Sequence, residues 1–336
     1  MAKDSKRPTQ RTIADVTGFA VTTVSRALKG DPQIAEATRL RVAEVAKGIG
    51  YVPDRAALRL RTGKTRTISL VLNPHDEIFG FGNSLIAGLS EALVGSDYHL
   101  NITPALGGHN ELAPIKRLIE YDLADGVVLT RTQNFDERIR YLLEQNFPFV
   151  SHGRTDFSQP HHFVDFDNEA FAYMAVQRLA KKGRTKLAII LPRHEYTFHQ
   201  HMRYGFMKAI RETGLDAVIP EDVTLDSSHE EVRDWVGRLL GDGSSRDVDG
   251  FICPGEASYL ALYSALRAVG RSRGNEYDVV VKCNHRILEQ IDPRIDRVHE
   301  DIGAAGRQMG SILLSQLKDG NKEIQQIVRD PLVKFS

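Results

Sequence analysis

Between residues 12 and 50 the apolar positions recur at helical spacing. From residue 67 on they gather into short unbroken runs separated by amphipathic stretches. The first texture predicts three short helices, the second an alternation of strands and helices. Thr12 to Leu28, TIADVTGFAVTTVSRAL, predicts two helices joined by a tight turn. Ala14 is small enough to let a second helix pack close, Gly18 suits a turn needing positive φ, and Val24 anchors the second helix. Ile13 and Val16, three apart, are expected to face one core. Thr9 or Thr12 caps the first helix. After the turn cluster Lys29-Gly30-Asp31-Pro32, a third helix is expected from Ala35 to Ile49. Val42, Val45, Ala46 and Ile49 form its apolar stripe, and Gly50 stops it.

In the second texture, strands are expected at 68–73, 98–103, 126–129 and 147–151, with helices at 85–93, 112–121 and 135–145 between them. A second set follows His161-His162-Phe163-Val164: helices at 169–182, 201–213, 229–240 and 257–269, and strands at 186–191, 249–253 and 278–283. A last helix at 303–318 and a closing strand at 327–329 complete it. Such an order makes doubly wound parallel sheets. The expected fold is a small all-α helix-turn-helix head on an α/β body of two lobes. Residues 1–53 form the head, 54–66 a hinge or linker, and 67–334 the body. Lobe 1 is expected at about 67–165 and 286–322, and lobe 2 at about 166–285 and 323–334. Ligands of such folds bind at strand C-termini, here in the cleft between lobes.

Charge divides the chain at the same place. Residues 1–66 carry 14 Lys and Arg against 6 Asp and Glu, whereas residues 67–336 carry 30 against 38. A basic head on an acidic body points to a polyanionic partner for the head alone, with an ordinary basic solvated surface as the plainer alternative. Val21, Thr22, Ser25 and Arg26 fall near the exposed start and outer face of the second helix, and small hydroxyls with one arginine suit a DNA major groove. An ordinary helical hairpin would share this spacing. Residues 54–66, DRAALRLRTGKTR, mix helix-forming residues with five basic ones, so that a helix there would form only against phosphates. No apolar run reaches the roughly 18 residues of a membrane span. MAKDSKRPTQR has no apolar core behind its charges, so no secretory signal is read. Cys253 and Cys283 each end an apolar run and are expected to be reduced, half-buried thiols of a cytoplasmic protein.

The segments VTTVSRAL (21–28), IGYVPDRAA (49–57), LRTGKT (60–65) and FDNEAF (166–171) resemble the lactose/galactose-repressor, or LacI-type, family of bacterial transcription regulators. The resemblance spans nearly the whole chain. It implies a helix-turn-helix, a hinge helix and a periplasmic-binding-protein-like body. It also implies a homodimer on a palindromic double-stranded DNA operator, associated with the bacterial nucleoid. The effector would be a small metabolite, a carbohydrate first, with a nucleobase or other co-repressor as the alternative. By position, Val21, Thr22 and Arg26 match major-groove readers, Thr23, Ser25 and Thr38 phosphate contacts, and Leu60 a minor-groove wedge, with Arg55 and Ala57 beside it in the hinge. Two departures stand out. Asp54 replaces a usual asparagine, and Gln10-Arg11-Thr12 replaces the usual apolar start, so the first helix is expected to begin late.

Loops at strand ends supply the effector candidates His75, Asp76, Phe79, His152, Arg154, His201, Arg203, Glu256, Lys282 and Asn284. Met202 stands where the family tends to place an arginine, with Arg203 one later. Many bases and few acids in this set suit a sugar bearing an acidic or phosphate group. No catalytic set is expected: Gly80-Phe81-Gly82 lacks the rest of a dinucleotide fingerprint, and no Walker loop, HExxH or GxSxG occurs. His194, His199 and His201 lack a cysteine or carboxylate to complete a metal site, so no metal or cofactor is expected. A cytoplasmic sugar-binding or sugar-processing protein is the remaining alternative; a solute-binding protein would need an export signal and no basic head.

Overall fold

The chain divides into two units, Met1–Thr65 and Arg66–Ser336, and residues 8–52 of the first hold three helices. The structure, a computed structural model, describes residues 8–52, 59–60, 62–72, 80–105, 111–241, 248–291, 293–319 and 323–335. In the first unit α1 (Gln10–Thr17), α2 (Val21–Leu28) and α3 (Glu36–Gly48) enclose Ile13, Ala14, Val24, Ala27, Val42, Val45 and Ala46. The first helix does not begin late. Thr9 Oγ1 accepts from the Thr12 amide while Thr12 Oγ1 accepts from the Thr9 amide, a reciprocal cap that replaces an apolar start with two satisfied donors. Gly18 takes φ 75° and its N–H donates to the Ala14 carbonyl, as a left-handed C-cap requires. Val16 departs from expectation at 55% exposed. The buried arc of this short helix runs from Ile13 towards Ala14 and Thr17, which turns position 16 away.

The second unit holds two six-stranded sheets. The first half of the chain supplies β1 (Thr67–Leu72), α4 (Phe81–Leu93), β2 (His99–Pro104), α5 (Leu112–Glu120), β3 (Gly126–Leu129), α6 (Glu137–Glu144), β4 (Phe149–His152) and β5 (Phe163–Phe166). There follow α7 (Asn168–Lys181), β6 (Lys186–Ile189), α8 (Thr197–Thr213), β7 (Asp216–Val218), α9 (His229–Gly241), β8 (Gly250–Cys253), α10 (Glu256–Ala268), β9 (Asp278–Cys283), α11 (Ile287–Ile291), β10 (Asp296–His299), α12 (Ile302–Asp319), β11 (Gln326–Arg329) and β12 (Leu332–Lys334). One sheet runs β11-β5-β4-β3-β1-β2 and the other β12-β10-β9-β8-β6-β7, parallel throughout except where β12 meets β10. Fully buried strands such as β3 and β8 read as continuous apolar runs because helices cover both faces. Two helix pairs pack at backbone contact. A Cβ on Gly88 of α4 would come within 2.1 Å of the Gly303 carbonyl of α12, and one on Gly205 of α8 equally close to the Glu169 carbonyl of α7.

The lobe boundaries near the C-terminus differ from those expected. The chain passes between sheets after β5, between β10 and α12, and between β11 and β12. Thus β10 belongs to the second sheet and β11 to the first, reversing the expected placement of 296–299 and 326–329. The reason is local: β10 is the short, largely charged Asp296–His299, which carries no apolar run to mark it as a strand. Cys253 and Cys283 lie on neighbouring strands and form no disulfide, but both are buried rather than half-buried, and burial pushes the Cys283 thiol up to about 12.

His161 is packed between Phe149 and Phe163 and is 4% exposed, with its Nε2 unpaired among the described residues. Burial pushes its pKa from the ordinary 6.5 down to about 4. The unfolded chain therefore takes up this proton first, so the stability His161 contributes is complete above pH 6.5 and is lost as pH falls towards 4. Between pH 7.5 and 5 the loss from this group is about 2 kcal/mol. His161→Phe should flatten the dependence of unfolding free energy on pH by that share, as read by urea titration at the two values. A parent and variant that lose stability in parallel would show that His161 is not buried neutral.

Candidate nucleic-acid interface and ligand cleft

In the first unit, packing of Val24 and Ala27 inward sets the outer face of α2. Val21, Thr22 and Arg26 are exposed on it, and Thr23 and Ser25 are half-buried at its flanks. Arg26 is not a loose side chain. Its Nε donates to Asp31 Oδ2 at 2.8 Å and its Nη2 donates to Gln33 Oε1, while Asp31 Oδ1 accepts the Gln33 amide at 2.9 Å. The Arg26 guanidinium, first among several donors, holds the Asp31 carboxyl below the usual range. The turn after α2 thus orients the arginine that α2 presents. Thr38, half-buried near the start of α3, stands apart from this face in sequence. Leu60 is helical and 89% exposed. Arg55 and Ala57 lie outside the described residues.

The second unit contains a cleft of about 680 Å³, counting its open mouth, between the C-terminal ends of the two sheets. From the first lobe come Phe81 at the start of α4, Arg131 and Thr132 after β3, and His152, Gly153 and Arg154 after β4. From the second come Asn168 and Thr197 at the starts of α7 and α8, Phe198, Asp226, and Lys282 on β9. Asp165 and Glu300 stand beside the chain crossings. Among the described residues the three lining cations are each matched. Arg154 Nε lies 2.7 Å from Asp165 Oδ2, and Lys282 Nζ lies 2.8 Å from Glu300 Oε2 and 3.1 Å from Asn168 Oδ1. Arg131 Nη2 reaches both oxygens of Asp226, at 2.7 and 2.5 Å. Burial, opposed in part by Glu300, lowers the His152 pKa, which keeps the ring neutral near pH 7. Phe81 and Phe198 add apolar surface to these polar groups. Such a wall can offer paired donors and acceptors to a ligand without a net field.

The sequence-derived candidates divide. His152, Arg154 and Lys282 line the cleft. His201 is half-buried one turn into α8 and does not line the cleft; burial first, then Arg154, lowers its pKa. Glu256 is buried and does not line the cleft; its Oε1 accepts the amides of Asn284 and His285 at 2.8 and 2.9 Å. Asn284 does not line the cleft either; its Nδ2 donates to Ser84 Oγ of the first lobe. Arg203 is exposed on an outer groove with His194, His199, Tyr204 and Arg211. Met202 is buried in the core, and the next residue of a helix turns about 100° away from it. His75, Asp76 and Phe79 lie outside the described residues. Arg131, Asp165, Asn168, Asp226 and Glu300 were not among the candidates. Arg131 follows the end of β3 and is open to the rule that finds His152; the three acids declare themselves only through partners distant in sequence. Among the described residues no three His, Cys, Asp or Glu side chains gather as metal ligands, and no helix is long and apolar enough to cross a membrane.

Comparison with known proteins agrees with this fold. Residues 10–54 match the description "Bacterial regulatory proteins, lacI family", and residues 176–334 match a periplasmic binding protein-like domain. The HTH-type transcriptional regulator AglR of Rhizobium meliloti (strain 1021) is 29% identical, over 96% of this chain and 91% of its own. Among solved structures, a complex of the transcriptional regulator CelR with cellobiose superposes with a TM-score of 0.69 at 24% identity, covering 98% of both chains. The lac repressor dimer bound to operator and the anti-inducer ONPF superposes with a TM-score of 0.82 at 16% identity, again over 98% of both.

Proposed function

The chain belongs to the lacI family of bacterial regulatory proteins, and from that premise we propose that it binds a palindromic operator as a homodimer under the control of a neutral carbohydrate held in the cleft. It acts in the cytoplasm by binding, with no catalysis. The observation that carries the ligand class is the charge balance of the cleft. Arg131, Arg154 and Lys282 each already face a carboxylate, so an acidic or phosphorylated sugar would find no spare cation among the described lining residues. The paired groups retain donor and acceptor capacity for hydroxyls, and Phe81 and Phe198 add apolar lining beside them. Cellobiose in the CelR complex is a ligand of this kind. On the DNA side, Val21, Thr22 and Arg26 read base edges, Thr23, Ser25 and Thr38 contact phosphates, and Leu60 enters the minor groove beside Arg55 and Ala57. A head with one groove-entering helix and a core of seven buried side chains reaches specificity by pairing with a second copy across a two-fold axis.

Arg26→Ala should lower discrimination at one base pair of each half-site by about 1–3 kcal/mol while leaving head stability nearly unchanged, because the side chain is exposed. Competition binding across single-base operator variants measures this. Equal weakening on every variant would make Arg26 a phosphate contact. For the cleft, a thermal-shift panel of cellobiose, raffinose, glucose 6-phosphate, glucuronate and hypoxanthine should show stabilisation by a neutral sugar, since ligand bound to the native state raises stability by mass action. Stabilisation by the phosphate or acid alone would overturn the charge argument, and stabilisation by hypoxanthine alone would assign the cleft to nucleobases.

A further inference from the structure

The cleft is spanned by more than an ion pair. On the first lobe the chain leaves β3 through Thr130, Arg131, Thr132 and Gln133; on the second it enters α8 through Glu195, Tyr196 and Thr197. These segments meet edge to edge. The Thr197 amide donates to the Thr132 carbonyl at 3.1 Å, and Gln133 and Tyr196 form an antiparallel bridge. Beside them the Arg131 guanidinium lies 4.5 Å from the centre of the Tyr196 ring and grips both oxygens of Asp226. Arg131 itself has φ 54°, a left-handed conformation that a side-chain-bearing residue keeps only when its surroundings enforce it.

The enforcing group is Arg138, in the first turn of α6 and 2% exposed. Its Nη2 donates to the Arg131 carbonyl at 2.9 Å and to the Thr130 carbonyl at 3.3 Å, and its Nε and Nη2 both reach Asp136. Asp136 in turn accepts the Gln133 amide at 3.1 Å, so one buried pair holds the loop from both ends. A buried charge pair costs desolvation and is a poor source of stability by itself. Here its Nη2 also reaches the carbonyls that aim Arg131.

We propose that Arg131–Asp226 and Thr132–Thr197 form a latch that sets how far the two lobes close, and that Arg138 is the positioning residue that aims it. The proposal rests on the reading of the cleft as the ligand site: closure brings the walls together, so any ligand touching both lobes binds the latched form more tightly, and the latch sets the share of molecules ready to bind.

Amide hydrogen exchange of the full-length protein, without ligand, reads the latch directly at residues 195–198. Arg131→Met and Asp226→Asn should each speed exchange there by about tenfold, with the double variant no faster than either, as expected for one coupled pair. Exchange in β3 and β6 should be unchanged. Arg138→Lys keeps a charge for Asp136 but loses the fork to two carbonyls, and should open the same segment to the same extent. Unchanged exchange at 195–198 in Arg131→Met and Asp226→Asn overturns the latch. An unchanged Arg138→Lys beside an opened Arg131→Met overturns the positioning role, as does faster exchange throughout β3 and β4. The same experiment with cellobiose should slow exchange at 195–198 in the parent. If cellobiose and raffinose both fail to do so while the ligand-free variants behave as stated, the carbohydrate reading fails and the latch stands.

Discussion

Two sheets joined by three chain crossings have little freedom. The passages at 166–168, 299–302 and 329–332 lie side by side, and the Asp167 amide donates to the Arg329 carbonyl at 2.9 Å across two of them. Any relative movement of the lobes must bend at these segments, which makes opening and closing of the cleft the natural motion. The polar groups follow from that constraint. Asp165 and Glu300 stand at the crossings and meet cations from the strand ends, so the floor of the cleft is neutralised where it hinges. Arg131 and Asp226 span the cleft from loops on opposite lobes, where the same motion would separate them. Buried carboxylates and cations are tolerated here because each has a partner at hydrogen-bond distance.

Much of this organisation is legible in the sequence because it is written in periodicity. The buried strands β1, β3 and β8 are unbroken apolar runs, and the stripe Val42, Val45, Ala46 marks the inner face of α3. The elements that escape are those stabilised from a distance. Asp296 opens β10 fully buried and is held by Arg178 and Lys182 from α7 and the turn after it, more than a hundred residues earlier. β7 and β12 are short edge strands with exposed side chains, which carry no apolar signal.

The candidate site shows the same division. Residues at strand ends, such as His152, Arg154 and Lys282, are found by position alone. The acids that pair with the cleft cations are not, because Asp165, Asp226 and Glu300 acquire their meaning from cations brought to them by folding. Arg203 fails for a simpler reason: a shift of one residue on a helix exchanges the core for solvent, and Met202 holds the inward place. In the head, the cap on α1 was visible as a threonine at either of two positions. The structure uses both hydroxyls.

On the proposed function, a ligand in the cleft and DNA on the head influence each other through one chain. Linkage requires that influence to be reciprocal. The most direct measurement is operator affinity of the full-length protein by fluorescence anisotropy with and without saturating neutral sugar, paired with sugar affinity by calorimetry with and without saturating operator. The account requires a change in operator affinity of at least about fivefold and the same factor, in the same direction, in sugar affinity. A sugar that binds tightly while leaving operator affinity unchanged would contradict it.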